Sequence, residues 1–142
     1  MEGIEEFGQH PARDVAIASM TAVEAGDRDA WLALFTDDAL VQDPVGPSMF
    51  DPEGTGHRGK EAIAAFYDTV IAMGSVSFDI RESYAAGDEC ANVGTITTSF
   101  PDGSRALVDG VNTYRTDGAG KIVALRAYWE TDNIRMKPAA EG

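Results

Sequence analysis

Hydrophobic positions in the first half of the chain repeat with the spacing of amphipathic helices. Residues 12–26 predict a first helix whose inward stripe comprises Val15, Ser19, Ala22 and Val23. Gly26 suits a C-terminal cap, and Asp27 suits the N-cap of a short second helix over residues 28–35. The inward side chains of that second helix are Trp31, Leu34 and Phe35. A third helix is predicted over residues 60–73, where the spacing recurs at Ile63, Phe66, Tyr67 and Val70.

The second half of the chain alternates with the period of two that is typical of β-strands. Residues 76–80 place Val76, Phe78 and Ile80 on one face, and longer strands follow over residues 89–100, 104–116 and 121–133. Their connections, AAGDE, PDGS and DGAG, contain the Asp and Gly of hairpin turns. Helices followed by a four-stranded meander predict an α+β fold, with one helix layer packed on one face of the sheet.

A short strand before the third helix ends in a restricted position. The segment ALVQDPVG is rich in β-forming residues and stops at Pro44, whose ring confines the preceding Asp43 to extended geometry. A carboxylate that starts a turn is one interpretation of Asp43, and a functional carboxylate at a strand end is the other. Asp37, Asp38, Asp102, Asp117 and most of the glutamates are predicted to lie in turns or on solvated faces.

Composition excludes several partners. The chain has 24 acidic and 11 basic residues, and a formal charge of −13 repels nucleic acid and anionic membrane surfaces. Cys90 is the only cysteine, so no internal disulfide forms. The opening segment lacks the apolar core of a signal peptide, and a cytoplasmic location is therefore expected.

The familiar motifs of metal, nucleotide and nucleophile chemistry are not found in the sequence. His10 lies in the opening segment and His57 in a glycine-rich loop, so neither is at metal-ligand spacing and both are predicted as surface residues. No glycine-rich phosphate loop and no nucleophile elbow occur. We therefore predict no metal and no cofactor.

Three segments resemble a known family. The order EAGDRDAWLALFTDDALVQDPVG, then GKEAIAAFYD, then YRTDGAGKIVALRAYW is similar to the bacterial ketosteroid isomerases and their SnoaL-like relatives. The resemblance implies the cone-shaped NTF2-like fold, in which a strongly curved, mixed and mostly antiparallel sheet encloses an apolar pocket. It implies one domain over residues 12–134, with a flexible arm over residues 1–11, a tail over residues 135–142, and a homodimer formed on the outer face of the sheet.

The same resemblance assigns chemistry to individual residues. The family's general base falls on Asp43, which implies a cofactor-independent steroid Δ5–Δ4 isomerase that transfers a proton within its ligand. The family's oxyanion-hole tyrosine falls on Ser19 and its protonated aspartic acid on Asn112, so the chain departs from the pattern at both. The Asn112 amide can still donate a hydrogen bond. The shorter Ser19 hydroxyl either reaches the oxygen through water or bonds back to a helix carbonyl.

Further residues are expected around the ligand. Tyr67 matches a family tyrosine that supports the oxyanion hole, and Trp129 either donates its indole N–H or lines the pocket. The remaining expected pocket residues are Phe66, Val108 and Ala127. In the long loop over residues 46–59, Met49 and Phe50 either pin the loop to the domain or form a lid over the pocket.

Two other functions remain open at this point. A binding module would keep the pocket for small lipophilic ligands without turning them over, and the missing family tyrosine favours it. A related cyclase or hydrolase would use the same base. The lack of an evident Asp-Arg-Asp set argues against epoxide hydrolysis.

Overall fold

The computed structural model describes residues 3–139. Within them, helices α1 (Pro11–Ala25), α2 (Arg28–Leu32) and α3 (Lys60–Thr69) lie where three helices were predicted, but α3 ends at Thr69 and Ile71–Met73 form a separate 3-10 turn. The helix ends follow local chemistry, because Gly26 closes α1 with a φ of 68° and Asp27 caps α2 by accepting a hydrogen bond from the Ala30 N–H. None of the described helices combines the length and apolar character needed to cross a membrane.

The strands form one mixed sheet. They are β1 (Phe35–Gln42), β2 (His57–Arg58), β3 (Ser75–Ala86), β4 (Glu89–Ser99), β5 (Arg105–Thr116), β6 (Ile122–Tyr128) and β7 (Arg135–Lys137). Their order is β2-β1-β6-β5-β4-β3, and β7 continues along β5 beyond the end of β6. The pairing of β1 with β6 is parallel and the others are antiparallel. The predicted α+β class with a mixed, mostly antiparallel sheet is confirmed.

The sheet is curved and remains open, and two glycines face each other where β6 gives way to β7. Gly94 on β4 pairs directly with Gly110 on β5. A Cβ atom at Gly110 would collide with the carbonyl oxygen of Tyr128, and one at Gly94 with that of Asp79. Glycine is therefore required at both positions for the close backbone approach. The concave face of this sheet, covered by α1 and α3, encloses the cavity described below.

The segment before α1 contributes to the core. Residues Ile4–Glu6 form one turn of 3-10 helix, and Ile4 is only 1% exposed, a contact that the polar pattern of the predicted arm did not indicate. Full burial of such a side chain contributes roughly 1.5–3 kcal/mol relative to exposure. Residues 1–2 of the arm and 140–142 of the tail lie outside the described residues.

The predicted second helix is too long by its last turn. Phe35 was placed on the inward face of that helix, whereas the structure ends α2 at Leu32 and begins β1 at Phe35. Parallel pairing with β6 decides the outcome, since the Ile122 N–H donates to the Leu34 carbonyl oxygen over 2.8 Å. The Phe35 ring still packs against Trp31, with the centroids 4.7 Å apart. Phe35, four positions after Trp31, can make this contact whether it lies in a helix or at the start of a strand.

Candidate active site

A deep apolar cavity lies between the concave face of the sheet, α1, α3 and the loop after β1. Its volume is about 400 Å³, within the range of roughly 300–1,000 Å³ for small-molecule sites. Most of its lining is aliphatic or aromatic. The polar groups in the lining are few, and they are Ser19, Asp43, Thr98, Asn112, Tyr114 and Trp129. Such a cavity favours a lipophilic ligand that carries one or two polar groups.

Asp43 directly follows the last residue of β1, and the accessible part of its side chain lines the cavity. The Asp43–Pro44 peptide bond is cis, and the Val45 N–H beyond it donates to the Ala127 carbonyl oxygen over 2.9 Å. The indole Nε1–H of Trp129 donates to Asp43 Oδ1 over 2.6 Å. Burial raises the pKa of Asp43 above its usual range, against the opposing effects of the Trp129 hydrogen bond and the charge of His57. The structure thus contains a carboxylate that is a stronger base than a solvated aspartate.

Asn112 faces Asp43 across one intervening strand. It is 8% exposed on β5 and pairs directly with Ala127 on β6, the residue whose carbonyl receives the Val45 N–H. Two strand spacings of about 4.8 Å place the backbones of Asp43 and Asn112 roughly 10 Å apart. Ala127, a small residue between them, also lines the cavity.

Ser19 lies on the cavity side of α1 and is 2% exposed. Its Oγ accepts a hydrogen bond from the Trp31 Nε1–H over 3.0 Å. The hydroxyl also contacts the hydroxyl of Tyr114, where it lowers the phenol pKa. The partners of this side chain are therefore Trp31 and Tyr114, and the expected bond back to a helix carbonyl is not among the hydrogen bonds found within residues 3–139.

Tyr67 does not reach the cavity, although the family resemblance implied a supporting role there. Its ring packs against Trp31 with the centroids 5.5 Å apart. Its hydroxyl interacts electrostatically with the charged side chains of Asp27, Arg28 and Asp68. Burial raises the pKa of Tyr67. Adjacent helical residues point about 100° apart. Because Phe66 faces the cavity, Tyr67 is turned towards α2.

The other expected pocket residues all line the cavity: Trp129, Phe66, Val108, Ala127, Met49 and Phe50. Met49 remains 61% exposed, which places it at the opening. Its loop is held by internal hydrogen bonds, since the Asp51 carboxylate accepts from the N–H groups of Gly54 and Gly56 over 3.2 and 2.7 Å. Met49 and Phe50 therefore form part of the cavity wall. The loop that carries them is folded on itself.

Two residues near the site were not identified from the sequence. His57 was predicted as a surface residue, but it lies on β2 beside Val41 and its ring stacks on Phe66 with the centroids 4.7 Å apart. Its Nε2 is buried and has no partner among residues 3–139. Tyr114 is 2% exposed and lines the cavity from β5. The available signal was its position two residues after Asn112, which puts both on one face of the strand.

The described part of the chain shows no arrangement suited to a metal ion. Across residues 3–139, no group of three or more His, Cys, Asp and Glu side chains is clustered closely enough to hold one. The polar groups of the cavity are hydrogen-bond donors and a single carboxylate. They can move or hold a proton and can stabilise a negatively charged oxygen.

Comparison with known proteins agrees with this geometry. Residues 16–125 match the SnoaL-like domain family. The steroid Delta-isomerase of Nocardioides simplex is 29% identical over 120 residues, which cover 84% of this chain and 90% of that protein. The Δ5-3-ketosteroid isomerase from Mycobacterium sp. is 40% identical with a TM-score of 0.86, over 91% of this chain and 100% of that one.

A further solved structure contains a steroid derivative. It is RV0760c from Mycobacterium tuberculosis in complex with estradiol-17beta-hemisuccinate, which is 39% identical with a TM-score of 0.84 over 89% of this chain and 99% of that one. The fold and family expected from the three resembling segments are confirmed. This chain belongs to the SnoaL-like domain family, has the NTF2-like fold, and counts steroid isomerases among its homologues.

Proposed function

We propose that this protein is a steroid isomerase, which moves a carbon–carbon double bond from Δ5 to Δ4 in a 3-oxosteroid or a similar flat ketone. The observation that carries the proposal is the Asp43 carboxylate, which lines an apolar cavity, is held by Trp129 and has a raised pKa. The isomerase names of two homologues support the reaction class. The steroid derivative bound by RV0760c supports the ligand class.

The proposed reaction needs one base and no cofactor. Ionised Asp43 removes a proton from C4, between the ketone and the double bond, and the electron pair of that C–H bond passes into a dienolate. The protonated carboxyl then returns the same proton to C6, which leaves the double bond conjugated with the ketone. A raised pKa assists the first step, because it brings the basicity of the carboxylate closer to that of the developing carbanion.

The negative oxygen of the dienolate requires hydrogen-bond donors. Asn112 supplies an amide N–H on the far side of Ala127 from Asp43, and an amide donates without needing a raised pKa. Removing one donor from an oxyanion hole typically costs about 10²–10³ in turnover. Asn112 is therefore assigned as an oxyanion donor. Ser19 lies in the same pocket, where its hydroxyl contacts Trp31 and Tyr114.

The second candidate is a non-catalytic protein that binds small lipophilic ligands. The observation that favours it is the residue pair Ser19 and Asn112, which stands where the resembling isomerases carry a phenol and a carboxylic acid. An apolar cavity of this size would bind a steroid without the chemistry. A related cyclase or hydrolase reaction would use the same Asp43 on a different substrate.

We also propose a homodimer formed on the convex face of the sheet. The register places Val93, Val111 and Tyr128 side by side across β4, β5 and β6, on the face opposite the cavity, and Tyr128 is 43% exposed. An apolar row on an exposed sheet face is typical of an interface. Sedimentation equilibrium at micromolar concentration tests this proposal. A monomer throughout the concentration series would contradict it.

The reaction is tested with a β,γ-unsaturated 3-ketosteroid and the ultraviolet absorption of the conjugated product. We expect turnover above the buffer rate, and we expect Asp43→Asn to reduce it by about 10²–10⁴, the usual contribution of a positioned general base. Binding without turnover in the unmodified protein would favour the second candidate. Equal rates for the protein and the Asp43→Asn variant would refute the assignment of the base.

A further inference from the structure

The hydroxyl of Tyr114 is a donor in the cavity that neither the sequence pattern nor the family's catalytic positions assign. Tyr114 and Asn112 point from the same face of β5, two residues apart, which is about 6.8 Å along a strand. Tyr114 is among the largest fully buried side chains, and its neighbours across the sheet are Cys90 and Leu125. A buried phenol in an apolar cavity needs a hydrogen-bond partner, and its position decides which partners are possible.

Tyr114 on β5, a large residue, lies beside Ser19 on α1, a small one. Ser19 occupies the position at which the resembling isomerases carry a tyrosine, and its hydroxyl contacts the hydroxyl of Tyr114. Trp31, which is 1% exposed, approaches Ser19 from α2. Trp31 and Tyr114 thus both lie against the short Ser19 side chain, and a tyrosine lines the cavity from β5 although α1 contributes none.

The donor-only character of Trp31 gives these hydrogen bonds a direction. An indole N–H donates and cannot accept, so Ser19 Oγ is an acceptor in the 3.0 Å bond with Trp31. The Ser19 proton is then available to the Tyr114 oxygen, and the Tyr114 proton to an acceptor in the cavity. Hydrogen bonds aligned in one direction polarise one another, and this strengthens the terminal donor.

We propose that Tyr114 is a catalytic residue that donates a hydrogen bond to the ketone oxygen of the ligand beside Asn112, with Ser19 and Trp31 as its positioning residues. The phenol of the oxyanion hole has in this chain moved from the first helix to the central strand of the sheet. This inference rests on the proposed function and names a residue that the resemblance did not supply.

The protonation of Tyr114 suits this role. Burial raises the pKa of the phenol, the charge of Asp43 raises it further, and the Ser19 hydroxyl acts in the opposite direction. The phenol therefore keeps its proton at a pH at which the Asp43 carboxyl is ionised. One group of the pair is ready to accept a proton while the other is ready to donate a hydrogen bond.

Two matched tyrosine variants test the proposal. Tyr114→Phe removes only the hydroxyl, and Tyr84→Phe is the control, since Tyr84 is 63% exposed and does not line the cavity. We expect Tyr114→Phe to lower kcat for a β,γ-unsaturated 3-ketosteroid by about 10²–10³, with less change in KM, and Tyr84→Phe to leave both unchanged. Equal kcat for Tyr114→Phe and the unmodified protein would overturn the inference.

A double-mutant cycle separates a positioning role of Ser19 from a direct one. If Ser19 acts through Tyr114, Ser19→Ala lowers kcat in the unmodified protein and has little further effect once Tyr114 is phenylalanine. Full additivity of the two substitutions would show that Ser19 acts independently, and it would overturn the positioning part of the proposal.

A binding measurement distinguishes failure of this inference from failure of the proposed function. 2-Naphthol presents a flat apolar ring system with a hydroxyl that mimics the dienolate oxygen, and its fluorescence reports binding without turnover. We expect Tyr114→Phe to weaken 2-naphthol binding at least tenfold relative to Tyr84→Phe. Weaker binding in a protein without isomerase activity would support the donor and reject the isomerase. Unchanged binding and unchanged kcat in an active isomerase would reject the donor alone.

Discussion

Trp129 and Asp43 are joined by a hydrogen bond of 2.6 Å from the indole Nε1–H to Oδ1 of the carboxylate. Trp129 follows the end of β6 and Asp43 the end of the neighbouring β1, so the bond links two strand ends at the cavity. Trp129 therefore lines the cavity and donates its N–H, but the acceptor is the candidate base. A bond to one carboxylate oxygen fixes the orientation of the group and stabilises its charged form.

Replacing Trp129 is expected to change the pH dependence of the reaction. Trp129→Phe keeps an aromatic ring in the lining but removes the hydrogen bond that lowers the pKa of Asp43. The pKa then rises, because burial is no longer opposed by that bond. The acid limb of kcat/KM reports the pKa of the base in the free enzyme, so it should move to higher pH. A limb that stays in place or moves to lower pH would contradict the proposed role of Asp43.

His57 is expected to act on Asp43 in the same direction through its charge. The charge of His57 lowers the pKa of the Asp43 carboxyl. His57→Phe keeps a ring that can stack on Phe66, whose centroid is 4.7 Å away, and removes the charge. The acid limb of kcat/KM should again move to higher pH. An unshifted limb in the variant would show that His57 is only a packing residue.

The raised pKa of Asp43 predicts a cost in stability. Between the unfolded and folded pKa values the folded state binds more protons, so the free energy of unfolding falls as the pH rises through that interval. At pH 7 the buried charge therefore destabilises the fold. Asp43→Asn should raise the free energy of unfolding at pH 7 by about 0.5–2 kcal/mol, as is common when a functional group is replaced.

Urea unfolding of both proteins at pH 7 and at acid pH measures this cost. The advantage of Asp43→Asn should shrink at a pH below both pKa values, where Asp43 is neutral in the folded and unfolded states alike. Lower stability of the variant at pH 7 would mean that the ionised carboxylate stabilises the fold, contrary to the direction of its pKa.

Asn112 is expected to contribute to turnover more than to binding. Asn112→Ala removes an amide that lines the cavity and should reduce kcat by about 10²–10³ if the amide contacts the dienolate oxygen. Thr113→Ala is a matched control, because Thr113 is the next residue on β5 and points to the other face, where its hydroxyl donates to the Arg126 carbonyl oxygen. Equal activities of the two variants would remove Asn112 from the mechanism.

The sequence predicted the parts of the fold that local periodicity determines. Val108 and Asn112 on β5 were both expected in the pocket, and both line the cavity. The Asp-Pro pair correctly located the end of β1. Phe35 was assigned to a helix because its contact with Trp31 is compatible with helical spacing, and only the pairing of β1 with the distant β6 made it a strand.

The site was harder to predict because its contacts join residues far apart in sequence. The bond between Trp129 and Asp43 and the contact between Ser19 and Tyr114 each span more than 80 positions. Tyr67 was expected to support the oxyanion hole by resemblance alone, but among the two neighbouring residues of α3 it is Phe66, itself expected in the pocket, that lines the cavity. His57 looked like a loop residue because the sequence does not reveal the two-residue strand β2 that brings it beside Val41.

The central claim is that a single carboxylate, shielded from water, carries a proton from one carbon of the ligand to another. It is tested most directly by turning over a β,γ-unsaturated 3-ketosteroid that carries deuterium at C4 in ordinary water, and by locating the label in the product with NMR spectroscopy. Transfer through Asp43 in the apolar cavity predicts that a measurable fraction of the product carries deuterium at C6. A product whose new C6 hydrogen comes entirely from solvent would contradict the account.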